Sequence, residues 1–190
     1  MEYYVSPLQL RKICGFIDSQ GISLSDNSAS PYYFIPLELS FVGDNGNVHF
    51  IYTINTTDKC NPSLQKSIKA QGSSKTGFKF QNTECKTSSV EKFFSHLNFI
   101  IEAFTTTDKP YIAVRNPKLA HYLRVSKVKF IDFNSPFFNV PTLIQLDKQY
   151  SSTFCCEIHQ ECADCVYICS KRKANNYFSW IKEIHNSGHV

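Results

Sequence analysis

Long apolar runs are missing from this chain. No stretch of its 190 residues approaches the roughly 20 consecutive apolar residues that a membrane-spanning helix needs, so no membrane partner is expected. The opening MEYYVSPLQL starts with an acid and has no apolar core of signal-peptide length, which points to an intracellular setting, cytoplasmic or nuclear. Glycine is scarce at seven residues, and no glycine loop that would cradle a phosphate occurs; Gly-x-Ser-x-Gly is absent as well. No internal repeat is found. A strong excess of one charge is also missing: the formal net charge is +4, with basic residues spread along the chain. That balance tolerates a nucleic-acid partner without announcing one.

What is present is apolar and aromatic. Apolar residues make up 42% of the chain, with 16 Phe and 10 Tyr, a composition that excludes general disorder and suits strands. The length fits one domain, residues 1–190, with a single core. Eight cysteines in a reducing compartment read as metal ligands or small buried hydrophobes before they read as disulfides. Five of them crowd between Cys155 and Cys169, unlike a stapling framework.

The first apolar block, Lys12 to Asp18, reads as a strand that turns at Ser19-Gln20-Gly21. A second strand runs from Tyr32 to Val42, with Pro36 demanding an unpaired position or a bulge. Asp44-Asn45-Gly46 signals a hairpin, and Val48 to Ile54 is the returning strand. Residues 55–87 are polar and read as a long loop with a short helix near Leu64–Ala70. Ser88-Ser89-Val90-Glu91 forms a capping box, ahead of an apolar face of Val90, Phe93, Phe94, Leu97, Ile100, Ile101 and Phe104 at helical spacing. Tyr111–Val114 is a short strand, and Asn116-Pro117 starts a helix through Leu123. Val128 to Phe133 is a further strand, Pro136 to Asp147 a proline-broken connection, and about Gln160 to Ile184 a last helix. Three strands in a meander followed by alternating helices and strands predict an α/β fold, a five-stranded mixed sheet flanked by helices. The same order is found in the RNase H-like fold of the DnaQ exonuclease type, although a fold does not fix a function.

Cys156-x2-His159, with Cys162 and Cys165 close behind, is the strongest chemical signal. Thiolate and imidazole suit zinc, which takes four ligands in a tetrahedron. Three of them are Cys156, His159 and either Cys165 or Cys162; the fourth must come from elsewhere. The plainer reading is a set of buried thiols around the last helix. Carboxylates give the second signal. A DnaQ-type exonuclease holds two Mg²⁺ on four acids, a charge concentration that places the attacking water. Asp18 ends the first strand here, but its expected acidic partner position is Gln20, and Tyr111 to Leu123 contains no acid. His159 and Asp164 keep the five-residue separation of such enzymes. Asp18, Glu38, His159 and Asp164 are thus the alternative catalytic set, and as a two-metal site it lacks acids.

Phe16-Ile17-Asp18-Ser19-Gln20-Gly21, Pro36-Leu37-Glu38-Leu39-Ser40-Phe41 and His49-Phe50 resemble the opening strands of DnaQ-like proteins of the Maelstrom kind. Tyr111 to Lys118, Phe130 to Phe133, Cys156-x2-His159 and the helix carrying Trp180-Ile181 resemble the later parts of those proteins. The resemblance implies that a Glu, Cys, His, Cys set binding zinc has replaced the exonuclease acids, with Glu38, Cys156 and His159 in the first three places and Cys165 or Cys162 in the last. It implies single-stranded RNA binding or processing too. Lys171, Arg172 and Lys173 on the last helix, with Lys75 and Lys79 around Phe78 and Phe80, are the candidate contacts; a solvated surface explains them equally well. The sequence therefore predicts a zinc-stabilised RNase H-like domain binding single-stranded RNA or a protein partner. The alternatives are a 3′–5′ exonuclease or endoribonuclease using Asp18, Glu38, His159 and Asp164, or a Maelstrom-like nuclease that does not depend on the acids. Oligomeric state is not legible.

Overall fold

The computed structural model describes residues 7–23, 34–52, 88–150, 155–159 and 165–187. A helical turn α1 (Pro7–Leu10) precedes strands β1 (Ile13–Ser23), β2 (Phe34–Gly43) and β3 (Gly46–Ile51). Helix α2 (Ser88–Phe104), β4 (Tyr111–Val114), α3 (Pro117–Val125), β5 (Phe130–Asp132) and α4 (Leu143–Tyr150) follow. A 3₁₀ turn (Glu157–His159), α5 (Cys165–Ile168) and α6 (Ser170–Ser187) complete the order. The five strands form one sheet, β3-β2-β1-β4-β5. β1 pairs antiparallel with β2 and β2 with β3, while β1, β4 and β5 are parallel. This is the mixed α/β sheet with flanking helices expected from the sequence, arranged as in the RNase H-like fold. The polar segment at 55–87 lies outside the described residues. Among the described residues no helix is long and apolar enough to cross a membrane.

Local chemistry sets the element ends. β2 and β3 meet through the two-residue turn Asp44-Asn45, and Gly46 at φ +144° takes a conformation that side chains rarely adopt. Asn116 caps α3, its side chain accepting from Lys118 N at 3.0 Å and Leu119 N at 3.3 Å, with Pro117 in the first turn. Pro36 sits at a register shift: Gln20 faces Glu38 and Gly21 faces Pro36, so β2 carries Leu37 as an extra residue. A bulge is where a strand tolerates a missing N–H.

Three elements differ from the sequence reading. β1 does not turn at residues 19–21 but runs on to Ser23, because β2 extends back to Phe34 and pairs with it there. The connection after β5 contains α4, whose start is a capping box the sequence reading passed over. Thr142 N donates to Gln145 Oε1 at 2.8 Å, and Gln145 N donates back to Thr142 Oγ1 at 3.3 Å. Finally, the last helix is not continuous: it breaks at Cys169 between α5 and α6.

The sheet is buried on both faces. On one, Ile17, Leu39, Phe41, Ile112 and Val114 pack with Phe93, Leu97 and Ile100 of α2 and Leu119 and Leu123 of α3. On the other, Phe16, Val42, Ala113 and Ile131 meet Ala174, Tyr177, Phe178 and Ile181 of α6, spaced at i, i+3, i+4 and i+7, together with Leu146 of α4. Each fully buried large apolar side chain contributes about 1.5–3 kcal/mol. Packing is close enough at β1 that a Cβ on Gly15 would run into the Phe41 ring and lie 2.6 Å from Val42 O. Polar residues interrupt the α6-facing layer at Asp18 of β1 and at Glu38 and Ser40 of β2, close to where α6 begins.

Candidate metal centre

Strand alternation aims Leu39 and Phe41 of β2 at one face of the sheet and Glu38 and Ser40 at the other. There they meet the start of α6. Helix N-termini carry unsatisfied N–H groups and a positive dipole end. The Ser170 N–H donates to Glu38 Oε2 at 3.0 Å, and Ser170 Oγ lies 2.7 Å from Ser40 Oγ. The other oxygen, Glu38 Oε1, accepts from His49 Nε2 of β3 at 2.7 Å. The 3₁₀ turn is closed by His159 N donating to Cys156 O at 3.0 Å, which brings Cys156 Sγ to 2.9 Å from His159 Nδ1. Cys169, at the break between α5 and α6, accepts from Cys156 N at 3.3 Å. The donor atoms of Glu38, Cys156, His159 and Cys169 all lie within 4.8 Å of one another, and all four residues are buried.

The charges in this space call for a cation. Burial pushes the Glu38 carboxyl up, but the His49 hydrogen bond, the Ser170 N–H and the two imidazoles outweigh it and hold it below the usual carboxylate range. The Cys156 thiol pulls Cys169 down by hydrogen bonding to it, and that bond and burial push Cys156 up. The cluster thus favours a carboxylate and one thiolate, both buried, and buried charges are paired or coordinate metals. Tetrahedral zinc with bonds of about 2.0–2.3 Å places its donors roughly 3.3–3.8 Å apart. The separations here are 2.9 Å for Cys156 Sγ to His159 Nδ1, 3.8 Å for His159 Nδ1 to Glu38 Oε2 and 3.9 Å for Cys169 Sγ to Glu38 Oε1. Two sulfurs, one nitrogen and one oxygen at that spacing fit a metal such as zinc. No known family model, curated protein or solved structure matches the chain. The metal reading therefore rests on the four side chains and their geometry.

Cys169 is the member that sequence reasoning missed. A helix taken as continuous from about residue 160 would turn Cys162 or Cys165 toward His159. The break at residue 169 sets Cys169 at the mouth of a new helix, within the cluster. Ser170 after a cysteine, ahead of a basic and apolar-periodic run, was the available signal for that helix start. Cys162, Asp164 and the Cys165 side chain lie outside the described residues, as do Lys75 and Lys79.

Asp18, the acid that the sequence reading set in the alternative catalytic group, is paired with a lysine. It lies across from Ser40 and is 2.6 Å from Lys173 Nζ of α6, both side chains being largely buried. Burial pushes Asp18 up more than Lys173 pulls it down. The pair forms part of a 520 Å³ cleft beside the middle of β1 and beyond the carboxyl ends of β4 and β5, also lined by Arg115, Asn134, Tyr167 and Tyr177. Glu38 and His159, the other described members of the catalytic alternative, belong to the thiol cluster. The basic triplet is largely committed: Arg172 makes a two-point pair with Asp147 at 2.7 Å per contact, and Lys173 holds Asp18.

Proposed function

We propose that the chain is a zinc-stabilised domain of RNase H-like architecture that acts by binding, with single-stranded RNA as its ligand, and not by two-metal hydrolysis. The observation that carries this reading is the buried Glu38, Cys156, His159 and Cys169 cluster. Four protein ligands leave zinc no open position for water, so its contribution is folding energy: it ties the middle of the sheet to the start of α6. The Maelstrom-like resemblance supports Glu38, Cys156 and His159; its last place fell to Cys165 or Cys162, and Cys169 is the cysteine that lies with the other three donors. Against two-metal chemistry stands Lys173, whose ammonium occupies the place beside Asp18 that a metal ion would need. The RNA reading is supported by the resemblance and by the basic and aromatic residues around Lys75 and Lys79, and only weakly by the triplet at 171–173. A protein partner is the second reading, favoured by exposed Ile144 and Tyr167 on the rim of the cleft.

Elemental analysis of the purified protein, paired with RNA binding across a salt series, tests both halves. One zinc per chain, lost in Cys156→Ser and His159→Ala, is expected. Affinity for an unstructured oligoribonucleotide should fall linearly on a log–log plot, by about 0.7 per phosphate neutralised. A folded protein without metal would refute the zinc reading. Salt-independent or undetectable RNA binding would refute the RNA reading and favour the protein partner.

A further inference from the structure

We infer that His49 is the positioning residue of the metal centre: it orients Glu38 as a ligand and stands between the buried cluster and solvent. The inference rests on the zinc reading above and concerns a residue outside the four donors.

A carboxylate can only accept hydrogen bonds, so the proton in the 2.7 Å contact between His49 Nε2 and Glu38 Oε1 sits on the imidazole. On the other oxygen, Ser170 N–H fixes Oε2. Each oxygen thus has one lone-pair direction taken and another left toward the cluster, where Oε1 is 3.9 Å from Cys169 Sγ and Oε2 is 3.8 Å from His159 Nδ1. Two fixed donors at opposite ends of one carboxylate define its plane. With either removed, a buried Glu side chain regains rotation about its last torsion, a broad well, and presents no single oxygen to the ion. The Ser170 donor is backbone and survives any exchange except to proline; His49 is the half of the clamp that a side-chain exchange adjusts.

His49 also differs from the donors in exposure. Its side chain is 18% exposed against 0% for Glu38, and it lines a 380 Å³ pocket with Ser40, Asn47, Lys171 and Asn175. The sheet carries it to that place. It is opposite Ser40 in the β2–β3 register, and it shares the α6-facing side with Glu38 while Val48 and Phe50 pack on the other. Partners that hydrogen-bond a ligand typically account for 10–100-fold of metal affinity.

The test compares the parent with His49→Ala and His49→Gln, the glutamine amide standing in for the Nε2 donor. Zinc affinity is measured by chelator competition, coordination by the ligand-field absorption of the Co²⁺-substituted proteins, and folding by far-UV circular dichroism. His49→Ala should bind zinc about 10–100-fold more weakly and release it faster to chelator. Its Co²⁺ spectrum should move toward that of Glu38→Ala, while His49→Gln stays near the parent in both measures. A merely structural role would lower stability without moving the Co²⁺ spectrum. Equal affinity and an unchanged spectrum in a folded, metal-binding His49→Ala protein would overturn the inference alone. Absence of metal from the parent would overturn it together with the zinc reading.

Discussion

Exchanging Cys169 for serine should strip the metal from the protein, whereas the same exchange at Cys165 should leave it bound. Serine places a shorter, harder oxygen where the third soft or borderline donor sits, and zinc then has Glu38, Cys156 and His159 alone. The hydroxyl can still accept the Cys156 N–H that Cys169 Sγ accepts at 3.3 Å, so the metal-free fold should be little disturbed. The magnitude follows from linkage: with free zinc a thousandfold above the parent's Kd, binding stabilises the native state by about 4 kcal/mol. For a domain of this size that is a Tm difference of about 8–16 °C. Differential scanning calorimetry in zinc-buffered solution reads the difference, and elemental analysis gives the stoichiometry. In excess chelator the parent should fall to the level of Cys169→Ser. The reasoning fails if Cys169→Ser keeps one zinc and Cys165→Ser loses it, or if chelator leaves the two proteins as far apart as before.

Lys173→Met removes the partner of a largely buried carboxylate, a change that costs about 3 kcal/mol, and urea denaturation should show it. Asp18 has its pKa raised by burial, so the protonated form is favoured in the fold. The associated stability is present at low pH and lost as pH rises through that raised value, so the deficit of the variant should shrink as pH falls through it. No Mg²⁺- or Mn²⁺-dependent cleavage of end-labelled single-stranded RNA is expected, and Asp18→Ala should change nothing on the gel; metal-dependent cleavage abolished by Asp18→Ala would revive the nuclease alternative. Gly15→Ala should destabilise by about 1–3 kcal/mol through overpacking against Phe41 and Val42 O, seen as a lower urea midpoint at unchanged slope.

Much of the fold was legible because local chemistry and tertiary packing agree. Asp44-Asn45-Gly46 makes its hairpin, Asn116-Pro117 makes its cap, and the apolar face of α2 is the one that packs. The failures share a cause: each is a place where short-range pattern was judged without the partner that decides it. β1 outlasts its Ser-Gln-Gly segment because β2 lies alongside to accept its hydrogen bonds. The break before α6 is invisible to periodicity, since 165–168 and 170–187 both read as helix, yet Glu38 and Ser40 bind the fresh N-terminus it creates. As a zinc ligand, Glu38 was nominated only through resemblance. Nothing local marks a lone glutamate in an apolar strand, because its partners come from a segment far along the chain.

That separation bears on how the molecule is made. Glu38 and Ser170 are 132 residues apart, so while the chain is being synthesised the β2–β3 hairpin emerges with an inward-facing carboxylate whose helix partner does not yet exist. Burying that charge early is unfavourable, and the α6-covered face of the sheet must stay open to water until residue 170 has cleared the ribosome. The face covered by α2 and α3 faces no such delay, since its helices follow sooner in the chain. Folding should accordingly close one side of the sheet first and the other last, with the acid of β2 acting as a timer against premature collapse.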